Sequence, residues 1–228
     1  MNTSCTIQAD PYNIECDPDH TALLIIDMQR DFVQPGGFGE HLGNDVEPLQ
    51  EVIEPISRLL DAARECGMTV IHTREGHDPN LADCPENKLQ RGNLDIGIGD
   101  EGPMGRVLVR GEKGHGIIDE LAPISGETVI DKPGKGSFYA TDLDLRLREA
   151  DIETLFVVGV TAEVCVHSTV REANDRGYNC IVVEDCVGSY FDEFRDVGLQ
   201  MIKAQGGIFG WVSELDAVLD ALPVDAPT

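Results

Sequence analysis

The sequence has no apolar run approaching the ~18 residues that a membrane-crossing helix requires, so no span is expected. Basic residues are scarce: 17 Lys and Arg, five of them Lys, stand against 42 Asp and Glu, a net charge of −25. Such a surface repels phosphate backbones and anionic lipids, which excludes nucleic acid and membrane as expected partners. The seven cysteines, at positions 5, 16, 66, 84, 165, 180 and 186, include no CxxC pair and no zinc-site spacing. Reduced thiols are expected, one of them available for chemistry. The first 20 residues hold four acids and lack the basic start and apolar centre of a signal peptide, so a cytoplasmic location is expected. Internal repeats and low-complexity tracts are also missing.

What is present is a 228-residue chain, 41% hydrophobic, long enough for one α/β domain spanning residues 1–228. Short β-branched runs at 21–27, 68–73, 127–131, 154–160 and 179–184 read as strands, and 207–211 is a weaker sixth. Their near-continuous apolar character suits strands covered on both faces. Helical periodicity falls at 45–66, 141–150, 163–177, 193–205 and 213–222. The alternation predicts a doubly wound, mostly parallel six-stranded sheet with helices on both faces, and ligands of such sheets bind at the carboxyl ends of the strands. Residues 1–19 read as an N-terminal arm and the tail after Leu222 as frayed. The glycine-rich stretch 74–116 has no sustained period and reads as a lid or oligomer contact.

Polar residues that punctuate the apolar runs are the candidates for chemistry. Asp27 closes the first strand, where burial would suit a general base, although a cap of the next turn fits the local sequence equally. Lys132 follows the third strand with Lys135 close behind, and spacing alone does not separate the two. Cys165 lies in Gly-Val-Thr-Ala-Glu-Val-Cys, where a strand gives way to a helix. A thiol in a first helical turn meets unpaired N–H groups that lower its pKa and can hold an oxyanion, whereas an apolar-flanked thiol can equally be a packing residue. Cys66, Cys180 and Cys186 fit the packing role better.

Three segments, Ile26-Asp-Met-Gln-Arg-Asp-Phe32, the run from Lys132 to Leu143, and Gly159-Val-Thr-Ala-Glu-Val-Cys165, resemble the signatures of the isochorismatase-like cysteine hydrolases in the family's order. The resemblance implies that family's fold, a catalytic triad of Asp27, Lys132 and Cys165, and a cis peptide between Val160 and Thr161. It further implies an oxyanion hole from the N–H groups of Thr161 and Cys165. With a cysteine present, it implies amide hydrolysis through an acyl-cysteine, without a cofactor and commonly in a homotetramer. The Asp-x-His metal motif of the family's nicotinamidases is not reproduced in His72-Thr-Arg-Glu-Gly-His-Asp78, so no metal is expected, although His72, His77 and Asp78 could be read as ligands. Further stretches look most like biuret and triuret amidohydrolases, which implies substrate contacts from Phe32 and Gln205. The expected reaction is biuret to allophanate and ammonia. Triuret, ureidoacrylate and N-carbamoyl amino acids are alternatives, and a non-catalytic small-molecule-binding protein is the alternative of another kind.

Overall fold

The computed structural model describes residues 4–92 and 95–223. Among these, six strands form the main sheet: β1 (Thr21–Ile26), β2 (Thr69–Glu75), β3 (Thr128–Lys132), β4 (Thr154–Val160), β5 (Asn179–Gly188) and β6 (Trp211–Ser213). Every neighbouring pair is parallel. The spatial order β6-β5-β4-β1-β2-β3 is that of a doubly wound sheet, with the winding reversed between β1 and β4. Helices α1 (Ile53–Glu65), α2 (Leu143–Glu149), α3 (His167–Asn174), α4 (Asp192–Gly207) and α5 (Leu215–Ala221) cover it. No helix among the described residues is long and apolar enough to cross a membrane.

Strand β1 explains the two covered faces. All six of its residues are buried, and successive side chains point to opposite sides. Leu23 and Ile25 pack with Ile56 and Leu59 of α1 and Leu215 and Val218 of α5. Ala22, Leu24 and Ile26 pack with Leu143 and Leu147 of α2, Val170 of α3 and Ile202 of α4. Each fully buried Leu or Ile contributes ~1.5–3 kcal/mol, so β1 is fixed from both sides and the residue after it has a fixed place.

Several boundaries differ from the sequence expectation. The helix expected over 45–66 is two, Glu47–Gln50 and α1, because Pro55 has no N–H to return to the Glu51 carbonyl. The sixth strand begins at Trp211 and not at Gly207, since Gly207 and Gly210 have φ of 87° and 148°. The expected helix over 163–177 opens with a π-turn, Ala162–Val166, before α3. The arm expected at 1–19 carries an antiparallel ribbon, Cys5–Ile7 with Ile14–Cys16, whose Ile7 and Ile14 enter the core. The frayed tail expected after Leu222 falls largely on residues 224–228, outside the described residues.

Candidate active site

Four adjacent strand ends, on β3, β2, β1 and β4, each deliver one polar group. Asp27 follows β1 with φ of 51°, which turns its carboxylate under the sheet edge. Its Oδ1 accepts the Thr73 hydroxyl at 2.7 Å and its Oδ2 lies 2.7 Å from Lys132 Nζ, with both charged side chains fully buried. The ammonium also donates to the carbonyls of Gly134 and Lys135 at 3.0 and 2.8 Å. Burial would lower the Lys132 pKa, but the carboxylate of Asp27, followed by Cys165 and Glu75, pushes it above the ordinary lysine value.

Cys165 is positioned by the end of β4. Gly159 has φ of 109°, and a Cβ there would stand 2.1 Å from the Ile26 carbonyl oxygen, so only glycine lets β4 run this close to β1. The Val160–Thr161 peptide is cis, as the resemblance implied. The π-turn follows, with the N–H groups of Val164 and Val166 both on the Thr161 carbonyl at 3.1 and 3.2 Å. The expectation of a lowered thiol pKa does not hold. Burial first, then the facing Asp27 carboxylate, push the Cys165 thiol well above its usual value, outweighing Lys132. At rest the sulfur carries its proton.

The sequence reading missed Glu75. The apolar run ends at Thr73 and local hydrophobicity places the charged Arg74-Glu75 pair in the following loop, yet β2 continues through both, with Glu75 opposite Lys132 in the register. Buried Gln29 holds this end: its Oε1 accepts the Glu75 N–H at 2.6 Å and its Nε2 donates to the Glu75 carbonyl at 3.0 Å. The fully buried carboxylate meets Lys135 Nζ at 2.8 and 2.9 Å and Lys88 Nζ at 3.3 Å. Burial alone would raise the Glu75 carboxyl, but Lys135, Lys132 and Lys88 together hold it below the usual range. Cys165 Sγ donates to Glu75 Oε2 at 3.7 Å. The sulfur and one oxygen each of Asp27 and Glu75 lie within 4.8 Å of one another. Glu75 could have been found in the sequence as an acid two residues past a strand at the same sheet edge as Asp27.

A cavity of about 230 Å³ opens onto this group, lined by Phe32, Phe38, Tyr190, Leu108, Thr161 and Cys165 among others. Phe32 and Thr161 are among the lining residues. Gln205 is not: it sits exposed at a break in α4 with φ of 53°, outside the lining of this cavity within one chain. Nor do His72, His77 and Asp78 converge. His72 pairs with Glu127 at 3.1 Å, His77 with Asp83 at 3.2 Å and Lys88 at 3.0 Å, and Asp78 with Arg110 at 2.7 Å.

Residues 21–216 match the Isochorismatase domain family. The chain belongs to the isochorismatase family. It is 32% identical to the ureidoacrylate amidohydrolase RutB of Cronobacter sakazakii over 99% of this chain and 98% of that protein. Among solved structures it resembles a cysteine hydrolase from Pseudomonas syringae pv. phaseolicola, with TM-score 0.76 and 27% identity over 90% of this chain and 93% of that one. It also resembles the N-carbamoylsarcosine amidase of Thermoplasma acidophilum, with TM-score 0.65 and 26% identity over 86% and 96% of the two chains. This isochorismatase-family chain is thus a hydrolase of the isochorismatase-like fold, with its candidate groups at the winding reversal where such sheets bind ligands.

Proposed function

We propose that the protein is a cysteine-dependent amidohydrolase that cleaves the C–N bond of a small ureido compound, with biuret as the first candidate substrate. The observation that carries this reading is a buried thiol at the wall of a small cavity, flanked by two lysine-paired carboxylates. Cys165 attacks the carbonyl carbon, the N–H groups of Thr161 and Cys165 receive the developing oxyanion, and the departing nitrogen leaves an acyl-cysteine that water hydrolyses. Because the resting sulfur is a thiol, its proton must leave as the C–S bond forms, and Asp27 with Lys132 as counter-ion belongs to this proton-moving machinery. The cavity volume of about 230 Å³ lies below the ~300 Å³ at which sites for drug-sized ligands begin, and its aromatic walls suit a planar amide.

A second reading, ureidoacrylate, is favoured by the 32% identity to a protein of that name along nearly the whole chain. Phe32 remains a proposed substrate contact and the enzyme a proposed cytoplasmic homo-oligomer. The test is ammonia release from biuret, triuret, ureidoacrylate, N-carbamoylsarcosine and nicotinamide, with the Cys165→Ser variant alongside. Turnover of one ureido compound that vanishes in the variant supports the reading and names the substrate. Turnover that survives in the variant, or is lost to a chelator, overturns the cysteine mechanism, and tight binding without turnover leaves a small-molecule-binding protein.

A further inference from the structure

All seven cysteines are free, and among the described residues one pair of thiols is in contact. Cys5 and Cys16 are register partners on the antiparallel N-terminal ribbon, with their sulfurs 3.5 Å apart. Residues directly opposite each other in such a ribbon have Cα atoms ~4.5–5.5 Å apart, inside the ~4.4–6.8 Å that a disulfide bridges. The sulfurs have only to close to ~2.0 Å, which side-chain rotation can supply. We infer that Cys5 and Cys16 are a thiol-oxidation site, separate from the candidate active site, that closes to a reversible disulfide by exchange with a low-molecular-weight disulfide.

Burial first, and then Cys5, push the Cys16 thiol up to about 12, so it keeps its proton at neutral pH. Cys5 is half-buried and meets the reagent first. Its S–H proton passes to water, its sulfur bonds to one sulfur of the reagent, and the reagent S–S bond breaks to release a thiolate. The Cys16 sulfur then bonds to Cys5 and expels the second thiolate, which takes the Cys16 proton. Two protein thiols lose two electrons and the reagent is reduced to two thiols. The ribbon grips β6, the edge strand of the main sheet. Asp10 and Val212 exchange backbone hydrogen bonds at 2.8 and 3.0 Å, the Ser213 hydroxyl donates to the Gln8 carbonyl at 2.7 Å, and Lys203 pairs with Asp10 at 2.7 Å. The bond therefore closes a loop around a clasp on an open sheet edge, and stabilises mainly by restricting the unfolded chain.

The test treats the folded, reduced full chain with oxidised glutathione at mildly alkaline pH, blocks remaining thiols with N-ethylmaleimide and maps unreduced tryptic peptides by mass spectrometry. The first basic residue is Arg30, so one peptide, 1–30, holds both cysteines. It should take up no N-ethylmaleimide, weigh ~2 Da less than the dithiol form, and return to that form with dithiothreitol. The melting temperature of the oxidised protein should rise by ~5 °C. Cys16→Ser should stop at a glutathione adduct on Cys5. Cys66 is the third thiol of this neighbourhood, packed on the same core and raised by burial and then by Cys5, yet Cys66→Ser should still close the bond. Two maleimide labels on peptide 1–30 after oxidation, or a cross-link from Cys5 to Cys66, would overturn the inference, and an unchanged melting temperature with the bond formed would overturn the clasp. None of these readouts involves hydrolysis, so the proposed activity stands or falls separately.

Discussion

Asp27 and Glu75 are both fully buried carboxylates beside one sulfur, and they are neutralised in opposite ways. Asp27 faces Lys132, which is fully buried as well, so that pair is sealed from water. Glu75 faces two lysines that reach it from the surface. A sealed pair is stiff and pays heavily for the loss of either member, whereas a carboxylate held by exposed ammonium groups can be tuned at little structural expense.

The largest effect that would break this contrast is Lys132→Met. It leaves a buried carboxylate uncompensated, and urea unfolding should register a loss of ~3–5 kcal/mol together with loss of turnover. A loss below ~1 kcal/mol would mean that Asp27 is not sealed. Reversing the test on the other pair, Lys135→Met should lower unfolding stability by less than ~1 kcal/mol, since that lysine is 46% exposed, while changing the pH profile of Cys165 reactivity. The smallest effect is the pH dependence of stability, and it sharpens the contrast by sign. Glu75 is held below its usual value, so its contribution is present above the ordinary carboxyl range near ~4.3 and is lost as pH falls through the lowered folded value. Lys132 is held above its usual value, so its contribution is complete below ~10.4 and is lost as pH rises through the raised one. Urea midpoints measured from pH 3 to 11 should therefore fall at both ends, with Lys135→Met moving only the acid edge upward.

The sheet was legible because burial on both faces writes itself as unbroken apolar runs, and Asp27 stood out because it closes one; Lys132 follows another such run, but only the family resemblance separated it from Lys135. Cys165 was visible from the strand-to-turn transition, but its protonation was misread: the sequence displays the helical turn and conceals the two carboxylates that chain-distant strands bring against the sulfur. Glu75 was missed for a related reason. Its strand is extended by pairing with β3 and by the amide of Gln29, 46 residues away, and neither leaves a mark on local hydrophobicity. Gln205 was placed in the site by resemblance, while the backbone turn at Ala204–Gly206 carries it to the exposed surface of the chain.

The candidate reacting groups come from four strand ends, and no two of Asp27, Glu75, Lys132 and Cys165 are neighbours in the chain. A chain that keeps its helices but lets the strands slip has none of this geometry. Reactivity of Cys165 is therefore a local readout of a global property: its disappearance on heating should coincide with the cooperative melting of the sheet, making one thiol a gauge of whether the whole domain is folded.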